Sequence, residues 1–590
     1  MTPIECQTRL SVLVLGEDTR SFLTVVRSLG KAGFDVYVVC YLRNSPALKS
    51  QYIKQAFFYN YQSSTQEDWN NNILALVHRY RFDLVLPCDE RAAYPLWQMR
   101  QSLPACTQLG MANRLAIKVF ANKWLTKCLA LRCGVPVSHG KLFHSDTMDF
   151  SDIERQFGLP FVLKPLQSFS HTELSERQNV TIIRDKTSFQ KWQKNVSGTG
   201  RVLVENFFQG NGLGLSVLAV DGKVHAAFAH TRVAEPQSGG GSSYRISTPV
   251  DPDLLKQTSA LCRESRLTGV AMFEYRQNAE GQTILLEVNC RFWGSLPLAQ
   301  FAGIDFPFLF SRYLLKKQLP DTPLVTYREK VTARAMTADL YEIKRKFESI
   351  RQEEGLPAAV QHVCRRLAEF FRAFTPNETI DSWDKLDPSP FFEESRQLFA
   401  NLIGSVKQKL SPLRYRRRKL ATRSLKLLLQ TLPEPRIIFV CYGNIMRSPF
   451  AEKALSDALA DSAPIDTDSF GFHPQDHRLS PNKAIEAAGT LHIDLSRHRS
   501  KWLKQKDLLE TDIVIFFDHA NRERLLTAYR VNHWFMAADL LGDATLPGKA
   551  TPRGEIEDPY DAPLESVVDC YKTIRAVTLH IGNLWKGVQA

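Results

Sequence analysis

Residues 440–449, Val-Cys-Tyr-Gly-Asn-Ile-Met-Arg-Ser-Pro, place a thiol and a guanidinium six positions apart, directly after the apolar run 436–440. A buried strand is expected to end at Cys441. The next residues turn through a Gly and an Asn, which tolerate positive φ, and a helix opens at Ser448-Pro449 with proline in its first turn. Such a loop aims backbone N–H groups and a helix N-terminus at one spot, which favours an oxyanion and, by the same field, a thiolate. Cys441 is then a nucleophile, and Arg447 offers a planar fork that matches two phosphoryl oxygens. A second element lies downstream in residues 557–561, Glu-Asp-Pro-Tyr-Asp. Asp558 on this proline-stiffened loop is positioned to protonate a leaving oxygen, and Tyr560 to stack on an aromatic leaving group.

A different chemistry is spelled in the first half. Lys164 sits in the short apolar strand 159–165, where an ammonium calls for an anion such as a nucleotide phosphate. The strand 202–210 runs from Glu205 into Phe207 and Phe208, with backbone groups and aromatics suited to a flat base. Residues 212–223 read as a hairpin around an Asp-Gly turn. The runs 270–275 and 284–289 are two apolar strands that can set Glu274 opposite Glu287, with Asn289 on the same face as Glu287. Two carboxylates and an amide oxygen are hard ligands suited to Mg²⁺ bridging nucleotide phosphates. Arg291 continues that face and can meet a phosphate or a substrate carboxylate.

These residues must be carried by α/β scaffolds. Strands are expected over 10–16, 34–39 and 82–87, alternating with helices, which implies a parallel sheet. Gly16 lacks the Gly-x-Gly-x-x-Gly context of a dinucleotide fold. From about 305 to 433 the pattern is mainly helical and carries no catalytic motif. At 590 residues the chain accommodates several domains.

Two resemblances follow. The stretch from about 436 to the C-terminus resembles the low-molecular-weight protein-tyrosine phosphatases, whose signature is Cys-x-Gly-Asn-x-x-Arg-Ser-Pro. The resemblance implies that Ser448 hydrogen-bonds the thiolate, that Asn444 holds the loop and that Asp558 is the general acid. Residues 468–472, Asp-Ser-Phe-Gly-Phe, depart from the family's usual Ala-Gly-Thr at the pocket wall, so substrate preference is open. Arsenate reductases share this fold, but they need resolving cysteines downstream, where this chain has Cys570 alone. Residues 8–320 resemble the ATP-grasp superfamily, in the branch like the carbamoyl-phosphate synthase large chain. The resemblance implies that Lys123 and Lys164 contact nucleotide phosphates, that residues 205–208 form the adenine hinge, and that Glu274, Glu287 and Asn289 hold magnesium. Asp89-Glu90 resembles the end of the preceding domain. The implied reaction is phosphorylation of a carboxylate by ATP, followed by displacement of phosphate by an amine or another nucleophile. Arg232 and the run 237–245 would close over the acyl phosphate.

The expected architecture is therefore a multidomain α/β chain. A pre-ATP-grasp α/β domain occupies 1–110 and an ATP-grasp α+β domain 111–340. A helical basic linker spans 341–433, and a parallel-sheet phosphatase domain 434–590. The expected cofactors are ATP and Mg²⁺, and the expected partners are a small carboxylate with its nucleophile and a phosphorylated protein or small phosphomonoester. Eleven cysteines without a Cys-x-x-Cys pair suit free thiols in the cytoplasm. No signal peptide or membrane-spanning run is read. Residues 407–426 carry nine Lys or Arg and no acid, and account for most of the net charge of +13. Interleaved with leucines, they read as a solvated basic helix between domains, or as a dock for an anionic membrane surface or an acidic partner. The lack of stacking aromatics apart from Tyr415 argues against nucleic acid. A nucleotide sensor gating the phosphatase is an alternative to a ligase.

Overall fold

The computed structural model describes residues 9–59, 65–168, 178–196, 200–234, 241–370, 375–409, 411–460, 462–541 and 554–589. The chain divides into two units, an N-terminal one extending to Ser395 and a C-terminal one from Arg396 onward.

The N-terminal unit begins with a parallel sheet in the order Ile53–Phe58, Asp35–Cys40, Ser11–Gly16, Leu84–Pro87, Gln108–Leu109. The three expected strands are its centre, and two further strands form its edges. A small antiparallel sheet follows, in the order Gly140–His144, Arg201–Asn206, Phe161–Pro165, Thr181–Ile183. The third sheet has seven strands and contains both expected pairs. Asn211–Val220 turns back into Lys223–Ala234 through Asp221 at φ 47° and Gly222, and Gly269–Gln277 pairs antiparallel with Thr283–Asn289. Asp221 is an L-residue in left-handed backbone, which is why an Asp-Gly pair sits there. One apolar core runs across residue 110: Val12, Phe22 and Val38 pack in the same cluster as Phe228, Val270, Trp293 and Phe306.

Residues 341–433 do not form one connector. The strand Glu378–Ile380 pairs parallel with Thr332–Arg334 and completes the seven-stranded sheet. The loop after it is pinned by Arg27, whose buried guanidinium donates Nε to Asp387 at 2.9 Å and Nη2 to the carbonyls of Ser382 at 2.8 Å and Asp387 at 2.7 Å. Arg245 pairs with Asp381, and Arg334 with Asp339 and Glu378, all in buried surroundings. A three-residue strand has no periodicity to read, and its energetic ties are charges distant in sequence.

The C-terminal unit is a parallel sheet in the order Asp466–Gly471, Arg436–Cys441, Asp512–Phe516, His533–Met536, with Arg447–Ala458 and Leu564–Gln589 among its helices. The helix Ser411–Thr431 joins this unit: Leu425 and Leu429 are buried in its core, four residues apart on one face. Among the described residues no helix is long and apolar enough to cross a membrane.

Candidate active sites

In the C-terminal unit the central strand Arg436–Cys441 delivers Cys441 to the carboxyl edge of a parallel sheet, where loops converge on ligands in open α/β folds. The chain then turns at Asn444, which takes φ 50°, and enters the helix Arg447–Ala458. Two donors approach the buried sulfur. The Asn444 N–H lies 3.2 Å from Cys441 Sγ, and the Ser448 hydroxyl oxygen lies 3.0 Å from it. Asn444 locks the loop from within. Its side-chain amide donates to Ser448 Oγ and Ser469 Oγ, each at 2.9 Å, while Oδ1 accepts from the Lys501 N–H at 2.8 Å and its carbonyl lies 2.8 Å from His498 Nε2. Gly471 permits this closeness, because a Cβ there would come within 2.8 Å of the Asn444 nitrogen. Gly471 falls in the stretch that departs from the family pattern, so the departure preserves what the loop needs sterically.

Arg447 is 1 % exposed and is held on both sides. It donates Nη1 to Asp518 at 2.6 Å and to the Ile556 carbonyl at 2.8 Å, and Nη2 to Asp558 at 2.6 Å. Burial opposes the guanidinium charge, but Asp558, the Cys441 sulfur and Asp518 outweigh it and push its pKa up. Asp558 is partly open to solvent, and its Oδ1 accepts from the Tyr560 N–H at 3.2 Å. Tyr560 is half exposed, with Lys483 Nζ 5.7 Å from its ring centre. The fold therefore gathers Cys441, Asn444, Arg447, Ser448 and Asp558 around one point. Asp518 was not singled out from sequence. It follows the strand Asp512–Phe516, next to the cysteine strand, and its place at a sheet's carboxyl edge is the signal that reveals it. It also caps the helix His519–Ala528 through the Asn521 N–H at 2.7 Å.

In the N-terminal unit, one cavity of about 560 Å³, open to solvent, is lined by Lys123, Ser168, Glu287, Asn289, Arg291 and Glu90 among others. Lys123 is the first residue of a helix capped by Asn122, and its Nζ lies 3.4 Å from Ser168 Oγ. Glu274 and Glu287 are direct cross-strand partners, and Asn289 Nδ2 reaches both carboxylates, at 3.2 and 3.4 Å. Burial, and then the charge of Glu287, push Glu274 up, while Arg232, 2.6 Å away, opposes them. Two facing carboxylates are hard ligands that fit a dication, whereas Asn289 turns its amide nitrogen toward them and its expected ligand oxygen toward Arg291 Nη2, 3.3 Å away. Arg232 is thus seated on Glu274 rather than on a lid. Residues 237–240 of the expected closing loop lie outside the described residues.

Lys164 and Glu205 belong to a separate buried ion triad. Glu205 accepts from Lys164 Nζ at 2.6 Å and from Lys127 Nζ at 2.7 Å. Burial alone would push Glu205 up, but the two lysines hold it below the usual carboxylate range. The anion that meets Lys164 here is therefore a protein carboxylate. Phe207 and Phe208 follow, half-buried, beyond the strand end. Lys127, one turn after Lys123, was not singled out. Also missed was His230, which shares a cross-strand row with Gly214, Glu274 and Glu287 and whose ring covers Gly214.

The two halves are a cysteine-centred loop on a parallel sheet and a polar cavity beside the seven-stranded one. Residues 436–585 match the family described as low molecular weight phosphotyrosine protein phosphatase, and residues 199–338 match ATP-grasp in the biosynthetic pathway with Ter operon. The chain thus joins an ATP-grasp domain to a low-molecular-weight phosphatase domain. Solved structures similar to it include N5-carboxyaminoimidazole synthetase from Staphylococcus aureus complexed with ADP, at 13% identity and TM-score 0.43, covering 55% of this chain and 82% of that one. A biotin carboxylase–β,γ-ATP complex from Campylobacter jejuni is similar at 14% identity and TM-score 0.44, covering 55% of this chain and 74% of that one. No curated protein matches the chain.

Proposed function

We propose that the chain is a bifunctional enzyme, a cysteine-dependent phosphomonoester phosphatase fused to an ATP-dependent carboxylate ligase. The observation that supports the first activity is the convergence of the Asn444 N–H and the Ser448 hydroxyl on the Cys441 sulfur, with Arg447 bonded to Asp558 beside them. Cys441 attacks phosphorus, Asp558 gives its proton to the departing oxygen, and a phosphocysteine forms. Water then attacks phosphorus, Asp558 takes its proton, and phosphate leaves with the sulfur restored. Arg447 and the loop amides stabilise the equatorial oxygens in both steps. With p-nitrophenyl phosphate, Cys441→Ser abolishes turnover and Asp558→Asn reduces it by a factor of about 10² to 10⁴. Full turnover in both variants refutes the assignment.

The ligase reading is supported by the cross-strand pair Glu274 and Glu287 with Asn289 between them and Lys123 in the adjoining cavity. Glu274 and Glu287, with the Asn289 amide turned to present its oxygen, would hold Mg²⁺, which supplies charge neutralisation at the transferring phosphoryl group. Lys123 binds a phosphate, residues 205–208 face the base, and Arg291 orients the acceptor carboxylate. ADP release that needs Mg²⁺ and a carboxylate, and that falls in Lys123→Ala and Glu287→Ala, is the expected result. Retention of activity in both variants withdraws it.

The exposed face of the helix Ser411–Thr431, with Lys419, Leu420, Arg423, Lys426 and Leu427, supports contact with an anionic membrane surface. Pelleting with phosphatidylserine vesicles, lost when Arg423 and Lys426 become Glu, tests it.

A further inference from the structure

The cavity that holds Lys123, Glu287 and Asn289 has another end to which the ligase reading gives no full role. There the helix Glu90–Gln98 presents its first residue to Arg291, with Glu90 Oε1 3.2 Å from Arg291 Nη2. Both side chains are largely withdrawn from water, at 17 % and 19 % exposure, yet both line the open space. Arg291 has donors to spare. Nη1 is bonded to the Phe292 carbonyl at 2.8 Å and Nη2 also approaches Asn289 Oδ1 at 3.3 Å, but Nε is buried with no hydrogen-bond partner. The wall beside the pair is apolar: Ala93, Tyr94, Met111 and Phe120 line the same cavity.

The charge balance of this end decides what can enter. A simple carboxylate that draws Arg291 away from Glu90 leaves the Glu90 carboxylate half-buried and unpaired, in a cavity that already holds Glu287. A molecule with adjacent negative and positive groups replaces both partners at once: its carboxylate takes the guanidinium and its ammonium takes Glu90. Neither protein charge is then stranded. The apolar wall receives whatever side chain branches from the same carbon.

We propose that the acceptor of the ligase half is an α-amino acid, with Arg291 on its carboxylate, Glu90 on its ammonium and an apolar side chain against Tyr94, Met111 and Phe120. This rests on the ligase reading and adds the substrate class to it. One carboxylate oxygen bonds to the γ-phosphorus of ATP as the bond from that phosphorus to the β,γ-bridging oxygen breaks, giving an aminoacyl phosphate and ADP. An amine then attacks the carbonyl carbon, phosphate leaves with the electron pair of the C–O bond, and the amine loses a proton to water. Glu90 is a specificity residue in this scheme, because it touches the substrate but none of the reacting atoms.

The test uses the full chain with Mg²⁺, ATP and hydroxylamine as the amine, and reads ADP and hydroxamate. L-Phenylalanine is compared with 3-phenylpropanoate, and L-leucine with 4-methylpentanoate, so that each pair differs only in the ammonium. The amino acids are expected to exceed their partners in kcat/KM by a factor of about 10² or more. Glu90→Gln raises KM for the amino acid about 30-fold or more, leaves KM for ATP unchanged and erases the preference within each pair. Equal use of both members by the wild type, or an unaltered preference in Glu90→Gln, overturns the inference while the ligase reading stands. If no acid releases ADP, the ligase reading fails. Calorimetric titration of L-phenylalanine into the ADP-loaded chain then decides the pocket: binding that Glu90→Gln abolishes upholds the amino-acid site, and absence of binding overturns it.

Discussion

Replacing Glu205 by Gln removes the one anion shared by two buried lysines. Lys127, Glu205 and Lys164 are 5, 7 and 10 % exposed, and the two contacts are 2.7 and 2.6 Å long. In Glu205→Gln both ammoniums keep their desolvation and lose their anionic partner, Lys127 retaining only the Ser138 carbonyl, a change that costs roughly 3 to 5 kcal/mol in comparable buried pairs. Lys127 offers a partial escape. Burial already pushes its pKa below the lysine range, with Glu205 opposing and Lys164 adding to the push, so loss of Glu205 drives it further down. A lysine depressed in the folded state binds fewer protons there than in the unfolded chain, which holds its proton up to a pKa of about 10.4. Stability of the variant therefore recovers as pH rises toward that value, by up to about 1.4 kcal/mol per pH unit. Calorimetry of the full chain, following the unfolding transition of the N-terminal unit from pH 7 to pH 10, reads both quantities, and Lys127→Met in the same background is expected to restore part of the loss. A deficit below about 1 kcal/mol at pH 7, or one that widens with pH, refutes the reasoning.

Three further outcomes follow from particular contacts. Gly471→Ala drives a methyl group into the Asn444 backbone, and is expected to reduce phosphatase kcat far more than the roughly 1 to 3 kcal/mol it removes from stability; unchanged turnover contradicts the loop packing. Burial, with Asp89 and Asp18 adding and Arg91 opposing, pushes Glu17 up to about 7 from a usual 4.5, so the wild type loses stability as pH rises from 4.5 through 7. Glu17→Gln escapes that loss, is more stable by up to about 3 kcal/mol at pH 8 and matches the wild type at pH 4, as thermal unfolding at the two pH values would show. Leu425→Ala lowers the stability of the C-terminal unit by roughly 2 to 5 kcal/mol, whereas a solvated linker helix would register almost nothing in the same scan.

What the sequence exposed, and what it concealed, divides by range. The phosphatase nucleophile and its arginine sit in ten consecutive residues whose turn, helix start and chemistry reinforce one another, so Cys441, Asn444, Arg447 and Ser448 could be found together. The carboxylates Glu274 and Glu287 were legible because strand alternation fixes which faces they share. Asp518 was not, because its contact with Arg447 spans 71 residues, and Glu90 was legible only as part of a domain end, because its contact with Arg291 spans 201. Lys127 carries no signal of its own in its helix, and it is the fold that brings the Glu205 carboxylate within 2.7 Å of it. The helix Ser411–Thr431 was read by its arginines, while the two leucines that anchor it, Leu425 and Leu429, were a minor note in a basic run.

Arg27 and Asp387 bear on how the protein is made. The first is fixed in an early helix and the second lies 360 positions later, so a ribosome must translate nearly two thirds of the chain before that guanidinium finds its acceptor. Until then the helix Ser21–Lys31 carries a cation with no counterpart at the site that will enclose it, although every strand of the parallel sheet beside it has been made by residue 109. In the C-terminal unit, by contrast, the cysteine loop, the acid and the helix that braces the core are all encoded after residue 410.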